Sequence, residues 1–363
     1  MSQYLVRVNE LLKLETEVSQ RAELVAKRAA YLARTGRFDD ARKDIAQVRE
    51  IFGDGRSGRV MALVMLAEGL VLHFEQLSSG AIDRVTRAQL IATAIGDQEL
   101  IAITSAWRGH LEFEESAFAP AINSISQALL SASDDDHATR ARCAIVLFNA
   151  FALCGDTTSS QRWFLRGRDH ALKEGDQASL DALLHSRAAF GVARIWIQQC
   201  EGSATETSLG RARIELESAR NLQALAHIEA HSNYIKLCDA RLAMVEGQFR
   251  GAAGILADLI GQGPFPHGHF SPDFASLALA FCQCKFGDLD AALSTFKDAK
   301  REALVELDVD DRLCVAWMLL ELTRMDARFG DQEVSGQQLS NAKDEFDESQ
   351  RTLRELLHGV EPS

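Results

Sequence analysis

The stretch Ala275–Ala299, ASLALAFCQCKFGDLDAALSTFKDA, reads as two apolar helices either side of a tight Gly287-Asp288 turn. Leu289, Ala292, Phe296 and Ala299 follow Gly287 at offsets of two, five, nine and twelve. Offsets five, nine and twelve share one stripe of a 3.6-residue helix. Small Ala292 and Ala299 let the second helix approach the first, and Phe296 fills the space between them.

The same punctuation recurs along the chain. Gly36 is followed by Phe38, Ala41, Ile45 and Val48, and Gly247 by Phe249, Ala252, Leu256 and Leu259. Ser116 stands in for the glycine before Phe118, Ala121, Ile125 and Ala128, while weaker copies follow Gly155 and Gly330. Two wide gaps leave room for further units near Gly80 and Gly202. The spacing predicts about eight helical hairpins of roughly forty residues, a period that signals a solenoid.

These residues resemble the tetratricopeptide repeat (TPR) family over roughly residues 22–345, most strongly at Gly36, Gly247 and Gly287. The resemblance implies an all-α, right-handed α-α superhelix. The units are longer than the family's commonest repeat, and their linkers often carry Gly-Asp, as at Gly96-Asp97 and Gly175-Asp176. That style looks like the helical regions of bacterial signalling proteins and transcription regulators.

Composition agrees with a helical reading. The 363 residues are 47% hydrophobic and 25% charged, with only five prolines, as in a folded helical chain. The excess of 52 acidic over 39 basic residues, a net charge of −13, disfavours nucleic acid and anionic membranes as partners. Seven cysteines in mostly apolar helical runs point to reduced, buried thiols and a cytoplasmic location. The first residues, MSQYLVRVNELLKLETE, are too charged for a signal peptide or a membrane span.

In chain order the reading is a capping helix over residues 1–21 and units one to six over 22–262. A proline- and glycine-rich loop follows at 263–273, then units seven and eight over 274–345, and a C-terminal cap and tail over 346–363. The N-terminal helix puts Leu5, Val8, Leu11 and Leu12 on one face, to cover the first hairpin or to form a homodimer; the oligomeric state stays open. The first helix of unit two, MALVMLAEGLVLHF, is apolar nearly all round and should be enclosed on several sides. The run Asp134-Asp135-Asp136 is read as negative charge at a helix N-terminus.

No nucleophile elbow, phosphate-binding loop or His-Glu-x-x-His motif is present, and the chain is read as non-catalytic. His227 and His231 share a helix face without further ligands, Cys282 and Cys284 point apart on a helix, and Trp107, Trp163, Trp196 and Trp317 fall in helical runs as packing residues. No metal and no cofactor is expected.

In the resembled family the groove-facing positions lie about six and ten residues before the turn glycine. Carried onto this chain they are His110, Asn149, Arg241 and Phe281, with Ala30 and Leu277 as neutral lining. The resemblance thus implies a scaffold that binds a protein or peptide partner in a concave groove, in bacterial signalling or complex assembly. Its rival is a regulatory sensor that closes around a signalling peptide or small molecule. The proline loop, with Phe265, His267 and His269, would then serve as a hinge or lid. The groove residues are expected to face water.

Overall fold

A computed structural model describes residues 2–52, 57–76, 80–226, 228, 232–262, 272–299, 307 and 309–360. It is 87% helical, and no strand occurs among the described residues. The proline loop, with Phe265, His267 and His269, and the pair His227 and His231 lie outside the described residues.

A short helix α1 (Gln3–Leu14) precedes eight hairpins. The first four are α2 (Val18–Arg34) with α3 (Phe38–Phe52), α4 (Gly58–Gln76) with α5 (Gly80–Ile95), α6 (Gln98–Glu114) with α7 (Phe118–Ser131), and α8 (His137–Leu153) with α9 (Thr157–Glu174). Then come α10 (Gln177–Cys200) with α11 (Glu206–Ala226), and α12 (Ser232–Val245) with α13 (Phe249–Gly261). The last two are α14 (Pro272–Lys285) with α15 (Leu289–Asp298), and α16 (Val309–Met325) with α17 (Gln332–Leu357). Helix α17 is continuous over 26 residues, so the second helix of the last hairpin and the expected C-terminal cap are one element.

The Gly-Asp linkers have a direct physical explanation. Gly96 takes φ +70°, which lets its N–H reach the Thr93 carbonyl and the Asp97 N–H reach the Ala92 carbonyl. These bonds satisfy the last carbonyls of α5. Asp97 then accepts the Leu100 N–H at 3.1 Å and starts α6. One dipeptide therefore stops a helix and caps the next. Asp136, the last of the acidic run, likewise accepts the Thr139 N–H at the start of α8.

Close hairpin packing follows from the small residues. Ala121 and Ala292 are fully buried. A Cβ on Gly109 would stand 2.9 Å from Ile125 and 3.0 Å from the Ala121 carbonyl, so α6 and α7 touch nearly backbone to backbone. Helix α4 buries Val60, Leu63, Val64, Ala67 and Leu70 around much of its circumference, as its apolar sequence requires.

Residues 1–183, 222–230 and 353–363 form one compact unit, and 184–221 with 231–352 form the other. In the first unit the array does not keep to contacts between adjacent hairpins. Helix α1 returns to the α9–α10 turn, where the Tyr4 N–H donates to the Gly175 carbonyl at 3.2 Å and Arg7 pairs with Glu174. Leu5, Val8 and Leu12 of α1 are buried, whereas Leu11, expected on the same face, is 45% exposed. In the second unit the core gathers on α10, α12–α14 and α16, with Trp196, Leu237, Phe281 and Met318 buried.

Ser116 is the only non-glycine residue with positive φ, +58°, among the described residues. Its N–H and that of Ala117 make the same helix-ending bonds as the glycine turns, to Phe113 and Glu112. A side chain in this conformation costs on the order of 1–2 kcal/mol, part of which the chain entropy of glycine offsets. Ser116→Gly is therefore expected to stabilise the protein by about 1 kcal/mol, read as a higher midpoint in chemical denaturation with unchanged slope.

Candidate functional site: a buried cationic and aromatic face

The first compact unit closes on itself through charge. The Arg34 guanidinium at the end of α2 donates to both Asp176 carboxylate oxygens, at 2.8 and 3.1 Å, and to Ser179 Oγ at 2.7 Å. Asp176 is only 3% exposed. Burial alone would raise its carboxyl pKa; the Arg34 charge and the Ser179 N–H outweigh that and hold it below the usual carboxylate range. Above this pair the Tyr4 and Tyr31 rings stack at 4.6 Å, and the Tyr31 hydroxyl donates to Ser2 Oγ at 2.6 Å.

Helices α4, α6 and α8 bring a group of polar and aromatic side chains into the same unit. Trp107 and His110, one turn apart on α6, meet edge to face at 5.4 Å. The Arg34 guanidinium carbon lies 5.5 Å from the Trp107 ring centre, and that of Arg142 only 3.7 Å away. Arg142 is 3% exposed, and its buried Nε makes no hydrogen bond with a described residue. Burial, with the like charge of Arg34, pushes its pKa well below the ordinary guanidinium value. The Trp107 face offsets part of that cost, and the nearby charges of Asp176 and Glu114 act in the same direction. Two turns along α8, the buried Oδ1 of Asn149 accepts no hydrogen bond from a described group.

His110 also belongs to a second cluster. Its Nε2 lies 3.2 Å from Glu114 Oε1, and His73 Nε2 on α4 lies 3.6 Å from Glu114 Oε2. The sequence named no such ligand group, because 37 residues separate His73 from His110 and only the packing of α4 on α6 joins them.

Of the groove positions, the structure brings His110 and Asn149 into one unit but buries His110, which is 6% exposed. The expectation that Arg241 and Phe281 face water is overturned, and Leu277 lines no open groove. Phe281 and Leu277 are each 1% exposed. Phe281 is covered by Phe249 of α13 and Trp317 of α16, at 6.0 and 5.4 Å. Arg241 is 7% exposed and donates to Asp311 at 2.5 Å. Burial opposes its charge, and Asp311 more than restores it, so its pKa lies above the ordinary value. The physical reason is that α16 packs on α14 and covers the side of the helix that a more open array would leave to a partner.

Sequence reasoning missed Arg142, Trp107, Arg34 and Asp176 as site residues. Arg142 did leave a signal: it is the lone charge in the mostly apolar run ARCAIVLFNAF. Arg34 and Asp176 left none, being 142 residues apart. All seven cysteines are free, five of them buried, and burial pushes the Cys238 and Cys282 thiols up to about 12. Trp107, Trp163 and Trp196 are buried as packing residues. A cleft of about 750 Å³ near Met61, Met65 and Ile91 lies elsewhere. Its Arg49 and Arg84 are already paired with Glu68, at 2.7 and 3.5 Å.

Two consequences are measurable. Phe281→Ala should cost about 3–5 kcal/mol, because the cavity it leaves is closed on several sides; a melting temperature within a degree of wild type would contradict this placement. The depressed Asp176 pKa means that its contribution is present above the unfolded value and is lost as pH falls through the folded value. Protection of the Tyr4 amide from hydrogen exchange should therefore persist at neutral pH and fall below about pH 4. Asp176→Asn should remove that protection at all pH values.

No protein-family model matches the chain, and no curated protein matches it in sequence. Among solved structures, that of a Rap protein complexed with competence and sporulation factor is similar to it in fold, with a TM-score of 0.56 at 16% identity. The similarity covers 93% of this chain and 100% of that one. The chain thus shares the TPR-like, helical-hairpin architecture of that protein. No described helix is long and apolar enough to cross a membrane.

Proposed function

We propose that this chain is a non-catalytic TPR-type scaffold of the long-repeat bacterial regulator kind, which holds a peptide partner through the Arg142–Trp107 face of its first compact unit. The observation that carries this reading is Arg142, a buried cation on an aromatic face whose buried Nε has no hydrogen-bond partner among the described residues. A peptide carboxylate, terminal or on a side chain, would give Arg142 a directly bonded counter-charge, a charge-assisted bond in a water-poor site. Asn149 would accept a peptide N–H nearby. The solved Rap protein is held with a peptide factor, which supports a peptide as the class of partner. Action in the cytoplasm, within signalling or complex assembly, belongs to the same reading.

A regulatory form of this reading, a sensor that opens and closes, draws support from the Arg34–Asp176 contact. Because that pair joins the first hairpin to the start of the fifth, a peptide reaching Arg142 would enter as the contact opens. Ligand and closure would then be linked by their difference in affinity for the two states.

Arg142→Met separates a binding role from a structural one. Replacing this buried guanidinium with an apolar side chain of similar length should leave stability unchanged or raise it by about 1–4 kcal/mol. The same change should abolish retention of acidic peptides from a random peptide pool, and amidated peptides should compete less well than free acids. A variant that melts much lower would make Arg142 a structural residue. One that retains the same peptides as wild type would move the binding face elsewhere.

A further inference from the structure

We propose that His73, His110 and Glu114 form a binding site for a divalent transition-metal ion of the zinc, cobalt and nickel class. His110 and Glu114 are four residues apart on α6, so their side chains lie on one face one turn apart. His73 enters from α4. One ligand atom from each of the three lies within 4.8 Å of the other two, with His110–Glu114 and His73–Glu114 at 3.2 and 3.6 Å. Metal–ligand bonds of about 2.0–2.1 Å in a tetrahedral site place neighbouring ligand atoms roughly 3.3 Å apart. Each imidazole lies close to that distance from one of the two Glu114 oxygens, Oε1 for His110 and Oε2 for His73, and bringing one atom of each residue from within 4.8 Å to that figure needs side-chain rotation only.

The donor set suits the ion. Two imidazoles and one carboxylate leave a fourth position open for water or an anionic ligand, and nitrogen and oxygen donors of this type favour zinc, cobalt and nickel over calcium or magnesium. The surroundings are shaped and dry on one side. Phe74 meets the His73 ring at 4.7 Å, Trp107 meets His110 at 5.4 Å, and the two imidazoles stand nearly perpendicular at 5.6 Å. Both histidine side chains are 8% exposed, whereas that of Glu114 is 26% exposed, which gives an ion a route in from the carboxylate side. One effect opposes binding. Glu114 also steadies the Arg142 charge, and that cation lowers the attraction the site offers a second positive ion. The site differs from the other close imidazole pair, His137 and His170, whose Nδ1 atoms lie 3.1 Å apart but which have no carboxylate in a comparable cluster among the described residues.

The test uses the whole chain, stripped by chelator and dialysed, with the metal alone as probe. Zn²⁺ is followed by calorimetry and Co²⁺ by its visible absorption. The expected result is one tight equivalent per chain, with cobalt bands of a four-coordinate nitrogen and oxygen site. His73→Gln, His110→Gln and Glu114→Gln should each weaken binding by at least about tenfold, and the double variant His137→Gln/His170→Gln should bind as wild type does. Helical dichroism of each stripped variant reports its folding, and Glu114→Gln, the change closest in shape, decides the matter if a histidine variant fails to fold. Absence of a tight equivalent in wild type overturns the proposal, as does a Glu114→Gln or His73→Gln variant that titrates as wild type. Because the readout is metal binding alone, it stands or falls separately from the peptide reading.

Discussion

The buried pair between Arg34 and Asp176 is the contact on which the arrangement of the first compact unit depends. A hairpin array by itself links each unit only to its neighbours. Here a carboxylate 3% exposed and a guanidinium 142 residues away in sequence neutralise each other. Neither can leave without stranding the other, and breaking such a pair costs about 3–5 kcal/mol. The Tyr4–Tyr31 stack, the Tyr31–Ser2 bond and the Tyr4–Gly175 backbone bond all lie around that pair. Helix α1, three turns long and only marginally stable in isolation, is ordered by this docking.

Within the unit, the inward sides of α4, α6 and α8 carry more polar chemistry than a helical core needs. Arg34 and Arg142 share the Trp107 ring, yet only Arg34 has a carboxylate of its own. A protein under selection for stability alone would replace Arg142 with an apolar residue, since a buried charge is among the most costly features a core can contain. Retaining it is the kind of local conflict with folding that functional sites display. The His73, His110 and Glu114 group adjoins the same ring, so cation, aromatic and ligand-type side chains occupy one small region built on rigid helices.

The second unit shows the opposite outcome from similar sequence positions. Arg241 has Asp311, and Phe281 has Phe249 and Trp317. Residues that a family pattern places on a groove become core there because α16 lies over α14. Position within a repeat therefore decides which side of a helix a residue occupies; the packing of the next hairpin decides whether that side is open.

The sequence alone determined the local elements. Glycine or serine at the turns, aspartate at the helix starts, and Ala and Phe at fixed offsets are local chemistry, and they settle the helices, their ends and their pairing into eight hairpins. Among the described residues the Gly-Asp linkers, the Ser116 turn and the acidic run at α8 fall where that chemistry puts them. Three residues of the candidate site left some trace, in His110, Asn149 and the lone charge of Arg142 within a mostly apolar helix. Tertiary structure decided the rest. Arg34 meets Asp176, and His73 meets Glu114, across separations that no helical period encodes, because those meetings depend on the summed angles of several hairpins. Small rotations at each turn accumulate along the array, and the contacts they finally permit cannot be read from any one repeat.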